Sequence, residues 1–378
     1  MASENAGQGR KRAKPGRPGK APPLYAAVDL GTNNCRLLIA KPGRTGFRII
    51  DSHSQIARLG EDLAHTGRIS DAAIERAMDA LTKIRDKLRS KKVAHVRCIA
   101  TEACRRAENG TDFITRVRDE LGLTFKIIGP GEEARLAMVG CHDLFEGDSQ
   151  HVVVLDIGGG STELSLVNAN KVRKAGGVKA LVSADVIELW GSLPLGVVTL
   201  WDAFKHLPEP DAYYAMRAHA VDVLANWKHS GRAAEAIGTR GHIIGTSGTV
   251  TCLAGVHLKL EKYRRSDVDG VWMDRSEAGA AIEQLVTLGP KGRAKLPTIG
   301  TDRAELMLSG CAILDAVWET FPTDRMRIAD RGLREGLLLT MIHGPKRKDR
   351  RRRGGKRRGK PVSSKNASDK SETKVKSE

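Results

Sequence analysis

Two short segments of the sequence combine a carboxylate with a glycine-containing turn. The first runs from Asp29 to Asn34 and reads DLGTNN, and the second runs from Asp156 to Glu163 and reads DIGGGSTE. Glycine allows such a turn to approach a ligand closely, and the turn directs successive N–H groups and hydroxyls towards phosphate oxygens. A carboxylate beside that cradle would repel phosphate unless a divalent cation lies between them. The two segments together therefore indicate a site for Mg²⁺ and a phosphate chain.

Each segment alone is also compatible with an ordinary hairpin turn, in which glycine only supplies a positive φ and the acid is solvated. Two copies at matching strand ends favour the phosphate site and suggest a duplicated domain. A Rossmann dinucleotide site needs GxGxxG followed directly by a helix, whereas the strand-like ELSLV follows the second turn, which argues against NAD. A third glycine-rich turn, IIGTSGTV at 243–250, opens a helix through Leu253 and Leu258.

Strand and helix patterns alternate around these turns, which predicts an α/β fold. The first turn is expected to join a β-hairpin over 25–40, and the second a hairpin over 152–167. Apolar spacing predicts a helix over 71–89 with Ser70 as its N-cap. Further helices are predicted over 111–121, 131–144, 276–287, 303–321 and 332–341, and further strands over 96–100, 125–128 and 326–330.

The formal net charge of +18 over 378 residues is concentrated at the two ends of the chain. Residues 1–20 carry +5 and residues 345–378 carry +11, which leaves only +2 for residues 21–344. The length predicts two domains. The sequence therefore predicts a nearly neutral folded body between two basic, disordered tails, at 1–21 and 345–378.

The six cysteines form no CxxC or Cys/His cluster, so we expect reduced, buried thiols and neither a zinc site nor disulfides. No apolar run approaches the ~18 residues that span a bilayer, and the first twenty residues lack the apolar segment of a secretory signal. These features predict a cytoplasmic protein without a membrane partner.

The motifs resemble those of the exopolyphosphatase and guanosine pentaphosphate phosphatase (Ppx/GppA) family. The resemblance rests on DLGTNNCRLLIA, RLGEDLAHTGRIS, ATEACRRAEN, GPGEEARLAMVG, LDIGGGSTEL, SLPLGVVTL, GTSGTVTCLAG and RGLREGLLL. It implies two ribonuclease-H-like domains of the actin, Hsp70 and sugar-kinase superfamily, at 22–147 and 148–344, with a cleft between them. The last helix is expected to pack back on the first domain. Thr32, Asn34 and Glu102 depart from the family's usual residues, and the use of the Glu102 side chain is left open.

The resemblance also implies a reaction, the Mg²⁺- or Mn²⁺-dependent removal of the terminal phosphate of polyphosphate. Hydrolysis of pppGpp in the stringent response is the alternative within the family. Glu133 matches the family's catalytic glutamate, which would activate water, and Glu132 competes with it on sequence alone. Without the resemblance, the two acids would be interpreted as side chains that stabilise the N-terminus of a helix. Asp156 and Glu163 match the positions that hold the metal, and Asp29 could share that task.

The implied phosphate-binding residues lie in the three turns and in the ATEACRRAEN motif. They are Gly31, Thr32, Asn33, Asn34, Arg105, Gly158, Gly159, Gly160, Ser161, Thr162, Ser247, Gly248 and Thr249. Arg36, Arg303 and Arg334 are weaker candidates, since an arginine is usually solvated or ion-paired.

Two further classes stay open on the sequence alone. An ATP-dependent kinase or chaperone of the same superfamily would need an adenosine pocket, and a non-catalytic polyanion- or RNA-binding protein would need only the fold and the tails. Residues 346–360 contain eleven Lys or Arg and could gather polyphosphate, RNA or DNA by counterion release, or could simply solubilise the chain. The oligomeric state is left open, with a homodimer as one option.

Overall fold

The computed structural model describes residues 22–44, 46–145, 147–183 and 185–344. Its strands form two sheets. They are β1 (Tyr25–Leu30), β2 (Asn34–Pro42), β3 (Phe47–Ile56), β4 (His95–Ala100), β5 (Phe125–Ile127), β6 (His151–Ile157), β7 (Thr162–Asn168), β8 (Ile187–Leu193), β9 (His242–Thr246), β10 (Trp272–Asp274) and β11 (Arg325–Ala329).

Helices cover both sheets. They are α1 (Leu63–Thr66), α2 (Asp71–Ser90), α3 (Glu102–Arg106), α4 (Gly110–Leu121), α5 (Pro130–Gly140), α6 (Ala169–Lys174), α7 (Val178–Ser183), α8 (Val197–Phe204), α9 (Glu209–Ala225), α10 (Ser230–Ile237), α11 (Gly248–His257), α12 (Arg265–Val268), α13 (Arg275–Ala294), α14 (Thr301–Ala304), α15 (Met307–Thr320) and α16 (Leu333–His343). A 3₁₀ turn spans His142–Leu144.

The two sheets repeat one strand order. The first sheet runs β3-β2-β1-β4-β5, with β1, β2 and β3 antiparallel and β4 and β5 parallel to β1. The second sheet runs β8-β7-β6-β9-β11, with the same directions, and adds β10 at its far edge. This shared topology agrees with the duplication suggested by the two turns, since β1–β2 and β6–β7 are equivalent hairpins.

Helices α5 and α16 lie against each other and contact both sheets. Their backbones touch, because a Cβ built on Gly336 would lie 1.8 Å from the carbonyl oxygen of Leu136. Leu337 and Leu338 of α16 pack with Ala27 of β1, whereas Leu339 packs in the core of the second sheet. The final helix therefore contacts the first sheet, as expected, although the domain boundary near residue 147 stays a prediction.

Most of the predicted elements are confirmed within two or three residues. Both hairpins form, and Ser70 caps α2 by accepting a hydrogen bond of 3.3 Å from the Ala73 N–H. Two predicted helices are too long. The helix predicted over 131–144 ends at Gly140, where the chain meets the Gly332 backbone, and the one predicted over 303–321 is divided into α14 and α15.

Several elements were not predicted, among them β3, β8, β9 and α8. No helix within the described ranges is long and apolar enough to cross a membrane. The predictions for the basic tails, at 1–21 and 345–378, fall outside the described residues.

Candidate active site

A cavity of about 270 Å³ opens where the turns of the two sheets meet. The two hairpin turns are in contact, because a Cβ built on Gly159 would lie 2.9 Å from Cβ of Thr32. The structure brings most of the predicted site residues to this cavity, namely Asp29, Gly31, Thr32, Asn33, Asn34, Glu133, Asp156, Gly158, Gly159, Gly160, Ser161, Glu163, Ser247, Gly248 and Thr249. Residues separated by more than two hundred positions in the sequence thus line one space.

The two equivalent hairpins differ in charge at one cross-strand position. In the first hairpin Asp29 lies directly opposite Arg36. In the second hairpin Asp156 lies directly opposite Glu163. Directly opposed like charges destabilise an antiparallel pair, whereas opposite charges stabilise it. A cation would therefore stabilise the two carboxylates of the second hairpin. In the first hairpin Arg36 already lies opposite the carboxylate of Asp29.

Burial raises the pKa of both carboxyl groups in the second hairpin. For Asp156 burial and then the charge of Glu163 raise the pKa to about 7. Burial also raises the pKa of Glu163, which is 4 % exposed, although the hydroxyls of Ser161 and Ser192 partly offset it by donating to Oε1 at 2.7 and 2.8 Å. A bound cation would offset the burial cost and the mutual repulsion of the two carboxylates.

The carboxylates at the cavity fit a Mg²⁺ or Mn²⁺ ion whose remaining ligands come from water and substrate phosphate. Within the described part of the chain no group of three or more His, Cys, Asp or Glu side chains is arranged to hold a metal ion. Mg²⁺ commonly binds one or two protein carboxylates and completes its shell with water and substrate phosphate. Asp156 and Glu163 could supply that pair. Asp29 is less suited, since it lies opposite Arg36, although its buried Oδ1 has no hydrogen-bond partner among the described residues.

Glu133 lies in the first turn of α5, and its side chain forms part of the cavity wall. It is 9 % exposed, and burial followed by the charge of Glu163 raises its pKa well above the ordinary value. Arg105 opposes this rise, with Nη1 3.4 Å from Oε2 of Glu133. A buried carboxylate of raised pKa is a stronger base than an exposed one, so Glu133 is suited to accept a proton from water.

Glu132, the competing candidate, does not reach the cavity. Its carboxylate pairs instead with Lys126 at 2.5 Å and Arg97 at 3.7 Å on the outer side of the helix. Neighbouring residues on a helix point about 100° apart, so only one of the two acids can face inward. The structure therefore places Glu133 at the cavity and Glu132 outside it, and the catalytic role of Glu133 stays a prediction.

Two of the predicted phosphate ligands are also placed elsewhere. Thr162 is fully buried and its hydroxyl donates to the carbonyl oxygen of Leu195. Arg105 does not line the cavity, because its guanidinium donates to the carbonyl oxygen of Ile128 at 2.7 Å and to the carboxylates of Glu102 and Glu133. Both side chains therefore donate hydrogen bonds to protein atoms at the positions where phosphate binding was predicted.

The three weaker arginine candidates line the cavity instead. Arg36 and Arg334 make no hydrogen bond or ion pair with any residue that the structure describes, and Arg303 donates only to Sγ of Cys252, at 3.2 Å. Burial and then the charge of Arg334 lower the pKa of Arg36. Guanidinium groups that make no hydrogen bond to a carboxylate keep donors that could bind phosphate oxygens.

Three residues that were not predicted as site residues, Asp330, Gly332 and Glu335, also line the cavity, in the segment after β11 that contains Arg334. Asp330 accepts a hydrogen bond of 2.7 Å from the hydroxyl of Tyr263. Glu335 caps its own helix by accepting from the Gly332 N–H at 2.9 Å. The signal was available, since an apolar strand ending in Asp before a glycine turn repeats the pattern of the two hairpins.

Two sheets of one strand order, with glycine-containing turns that line a common cavity, define an α/β protein of the actin-like ATPase superfamily with two domains. The chain belongs to the Ppx/GppA phosphatase family, whose family model matches residues 38–344.

Curated relatives support the same assignment. The guanosine-5'-triphosphate,3'-diphosphate pyrophosphatases of Aeromonas salmonicida and Aeromonas hydrophila are 28% and 27% identical over 324 and 321 residues. Each alignment covers 85% of this chain and 60% of the relative. The chain therefore spans about 60% of the length of these relatives.

Solved structures are similar over most of their own length. The Aquifex aeolicus Ppx/GppA family member is 27% identical with a TM-score of 0.67, covering 85% of this chain and 97% of that one. An exopolyphosphatase from Cytophaga hutchinsonii has a TM-score of 0.74 at 24% identity, covering 84% and 97%, and shows the shared fold.

Proposed function

We propose that the chain is a divalent-cation-dependent exopolyphosphatase that releases orthophosphate from the end of inorganic polyphosphate. One observation carries this proposal. A buried carboxylate of raised pKa, Glu133, shares a cavity with arginines that have free donors and with two glycine turns. Phosphoryl transfer needs charge neutralisation, in-line positioning and a residue that orients water, and these groups can supply all three.

The protein groups would act together on the terminal phosphoanhydride. Arg36 and Arg334 would bind non-bridging oxygens, and the N–H groups of Gly158–Gly160 would hold the neighbouring phosphate. Glu133 would take a proton from water as the water oxygen attacks the terminal phosphorus. The bond from that phosphorus to the bridging oxygen breaks, which leaves orthophosphate and a chain one phosphate shorter. A divalent cation at Asp156 and Glu163 would supply neutralising charge to the phosphates.

The lining of the cavity favours polyphosphate over pppGpp. Among the described residues that line it, Tyr263 is the one aromatic side chain, and its hydroxyl is held by Asp330. Nucleobases commonly stack on aromatic side chains, so this lining suits a phosphate chain better than a guanosine. The second candidate is pppGpp, which is favoured by the name of the Aeromonas relatives.

The test is phosphate release from long-chain polyphosphate, tripolyphosphate, pppGpp and ATP, each with Mg²⁺ and with EDTA. The proposal predicts the highest kcat/KM on polyphosphate and no turnover in EDTA. Faster release from pppGpp would assign the nucleotide function instead. Inactivity on all four substrates would contradict catalysis and favour the polyanion-binding class.

From the sequence, we also expect the basic C-terminal tail to gather long polyphosphate near the active site. Removal of residues 345–378 is predicted to weaken activity on long chains at low salt and to leave tripolyphosphate turnover unchanged, because counterion release depends on the length of the polyanion. Equal activity of the full and shortened chains on long polyphosphate would contradict a gathering role.

A further inference from the structure

Glu102 occupies a fixed position between the two phosphate-binding hairpins. It is the first residue of α3, directly after β4, and its side chain is only 17% exposed. It lines the cavity, and a Cβ built on Gly160 would lie 3.0 Å from its Cγ. The methylene groups of Glu102 therefore pack against the glycine turn of the second sheet, and this contact restricts where its carboxylate can lie.

The Glu102 carboxylate engages one arm of the Arg105 guanidinium. Oε2 of Glu102 accepts a hydrogen bond from Nη2 of Arg105. Nη1, the other arm, donates to the carbonyl oxygen of Ile128 at 2.7 Å and lies 3.4 Å from Oε2 of Glu133. A guanidinium is planar and its donors have fixed directions, so fixing one arm also fixes the other. Glu102, Arg105 and Glu133 thus form a continuous chain of contacts.

We propose that Glu102 is a positioning residue, which holds Arg105 against Glu133 and thereby orients the general base. This inference rests on the proposed function, since it assigns Glu133 the role of the base. Arg105 then acts on Glu133 and not on phosphate, and the phosphate chain is bound by Arg36 and Arg334. Without the Glu102 carboxylate, the hydrogen bond from Nη1 to the Ile128 carbonyl is the remaining short contact of the Arg105 guanidinium, which can then turn about that bond, so that Glu133 loses its fixed orientation.

The experiment compares E102Q, R105M and the double variant with the wild type, on the substrate that the wild type hydrolyses fastest. The readouts are kcat, KM and the inhibition constant for orthophosphate. E102Q should lower kcat on the order of tenfold, because small errors in the position of a reacting group lower rates steeply. KM and phosphate inhibition should change less than about twofold, because Glu102 does not contact substrate in this account.

The double variant isolates the route through Arg105. In the R105M background the E102Q substitution should change kcat by less than about twofold, since the residue through which Glu102 acts is already absent. E102D keeps the charge and should retain more activity than E102Q, which a general loss of packing would not produce. E108Q is the matched control. Glu108 lies in the same segment, but its side chain is 71% exposed and pairs only with Arg68 among described residues, so its kcat should equal that of the wild type.

Three results would overturn the inference while leaving the proposed function intact. The first is an unchanged kcat in E102Q, and the second is an equal loss in the R105M background. The third is tighter orthophosphate inhibition with kcat retained, which would mean that Glu102 competes with phosphate for Arg105. By contrast, an inactive wild type or a fully active E133Q would overturn the proposed function itself.

Discussion

The like-charge pair of the second hairpin leads to a prediction about the metal-free protein. Burial and Glu163 raise the pKa of Asp156 from 3.8 to about 7. Keeping Asp156 ionised in the folded state therefore costs up to roughly 4 kcal/mol, at 1.36 kcal/mol per pKa unit. A carboxyl whose pKa is higher in the folded state adds stability at low pH and withdraws it as the pH rises through the folded value. Stability without metal should thus fall between about pH 4 and pH 7.

Replacing Asp156 with Asn removes this cost. In EDTA at about pH 8, D156N should raise the free energy of unfolding by roughly 1–3 kcal/mol, less than the full value because a buried amide also needs partners. At about pH 4 the two proteins should be nearly equal in stability, because Asp156 is then protonated. Mg²⁺ should reverse the order, since the wild type gains about 2.7 kcal/mol at a cation concentration of 100 Kd and D156N gains little.

Urea unfolding followed by far-UV circular dichroism measures these free energies by linear extrapolation. D29N is the matched control, because Asp29 occupies the equivalent position opposite Arg36. Its gain in EDTA should be smaller than that of D156N, since Arg36 already offsets part of the burial cost. A D156N protein that is less stable than the wild type at about pH 8 in EDTA, or that responds equally to Mg²⁺, would refute the reasoning.

Two other predictions concern Arg36 at the cavity and the ion pair of the buried Arg293. R36M should raise KM for polyphosphate about 10- to 100-fold, because charge-assisted hydrogen bonds to phosphate contribute ~1.5–3 kcal/mol each. R44M is the control, at an exposed arginine outside the cavity, and should leave initial rates unchanged. An unaltered KM in R36M would show that Arg36 does not bind phosphate. E209Q should lower the free energy of unfolding by roughly 3–5 kcal/mol, because Arg293 is fully buried and Glu209 neutralises it at 2.6 Å. Urea titration measures the second effect, and a loss below about 1 kcal/mol would show that the pair contributes little.

The sequence predicted the parts of the fold that depend on local pattern. Both hairpins, α2 and its Ser70 cap follow from apolar spacing and turn chemistry within a few residues. The edge strand β3 was missed because FRIIDSHSQI is half polar, as an edge strand can be. The break after α5 was missed because it depends on Gly140 meeting the backbone of Gly332, nearly two hundred residues away.

The candidate site also contains residues that local sequence predicts and residues that it does not. The glycine turns and acidic strand ends were found because their chemistry lies within eight residues of sequence. The use of each arginine could not be predicted, because it depends on what else folds beside it. Arg105 was a predicted phosphate ligand but is held by Glu102. Arg36 was one of the weaker candidates, yet it lines the cavity and makes no hydrogen bond with any described residue.

The central claim is that Glu133 activates water at the terminal phosphate. The most direct measurement compares phosphate release by E133Q and E132Q, two adjacent substitutions of the same chemistry on one helix. The account predicts that E133Q loses at least about 10²-fold in kcat, as expected for removal of a general base, while E132Q stays within about threefold of the wild type. Full activity of E133Q, or an equal loss in both variants, would contradict it.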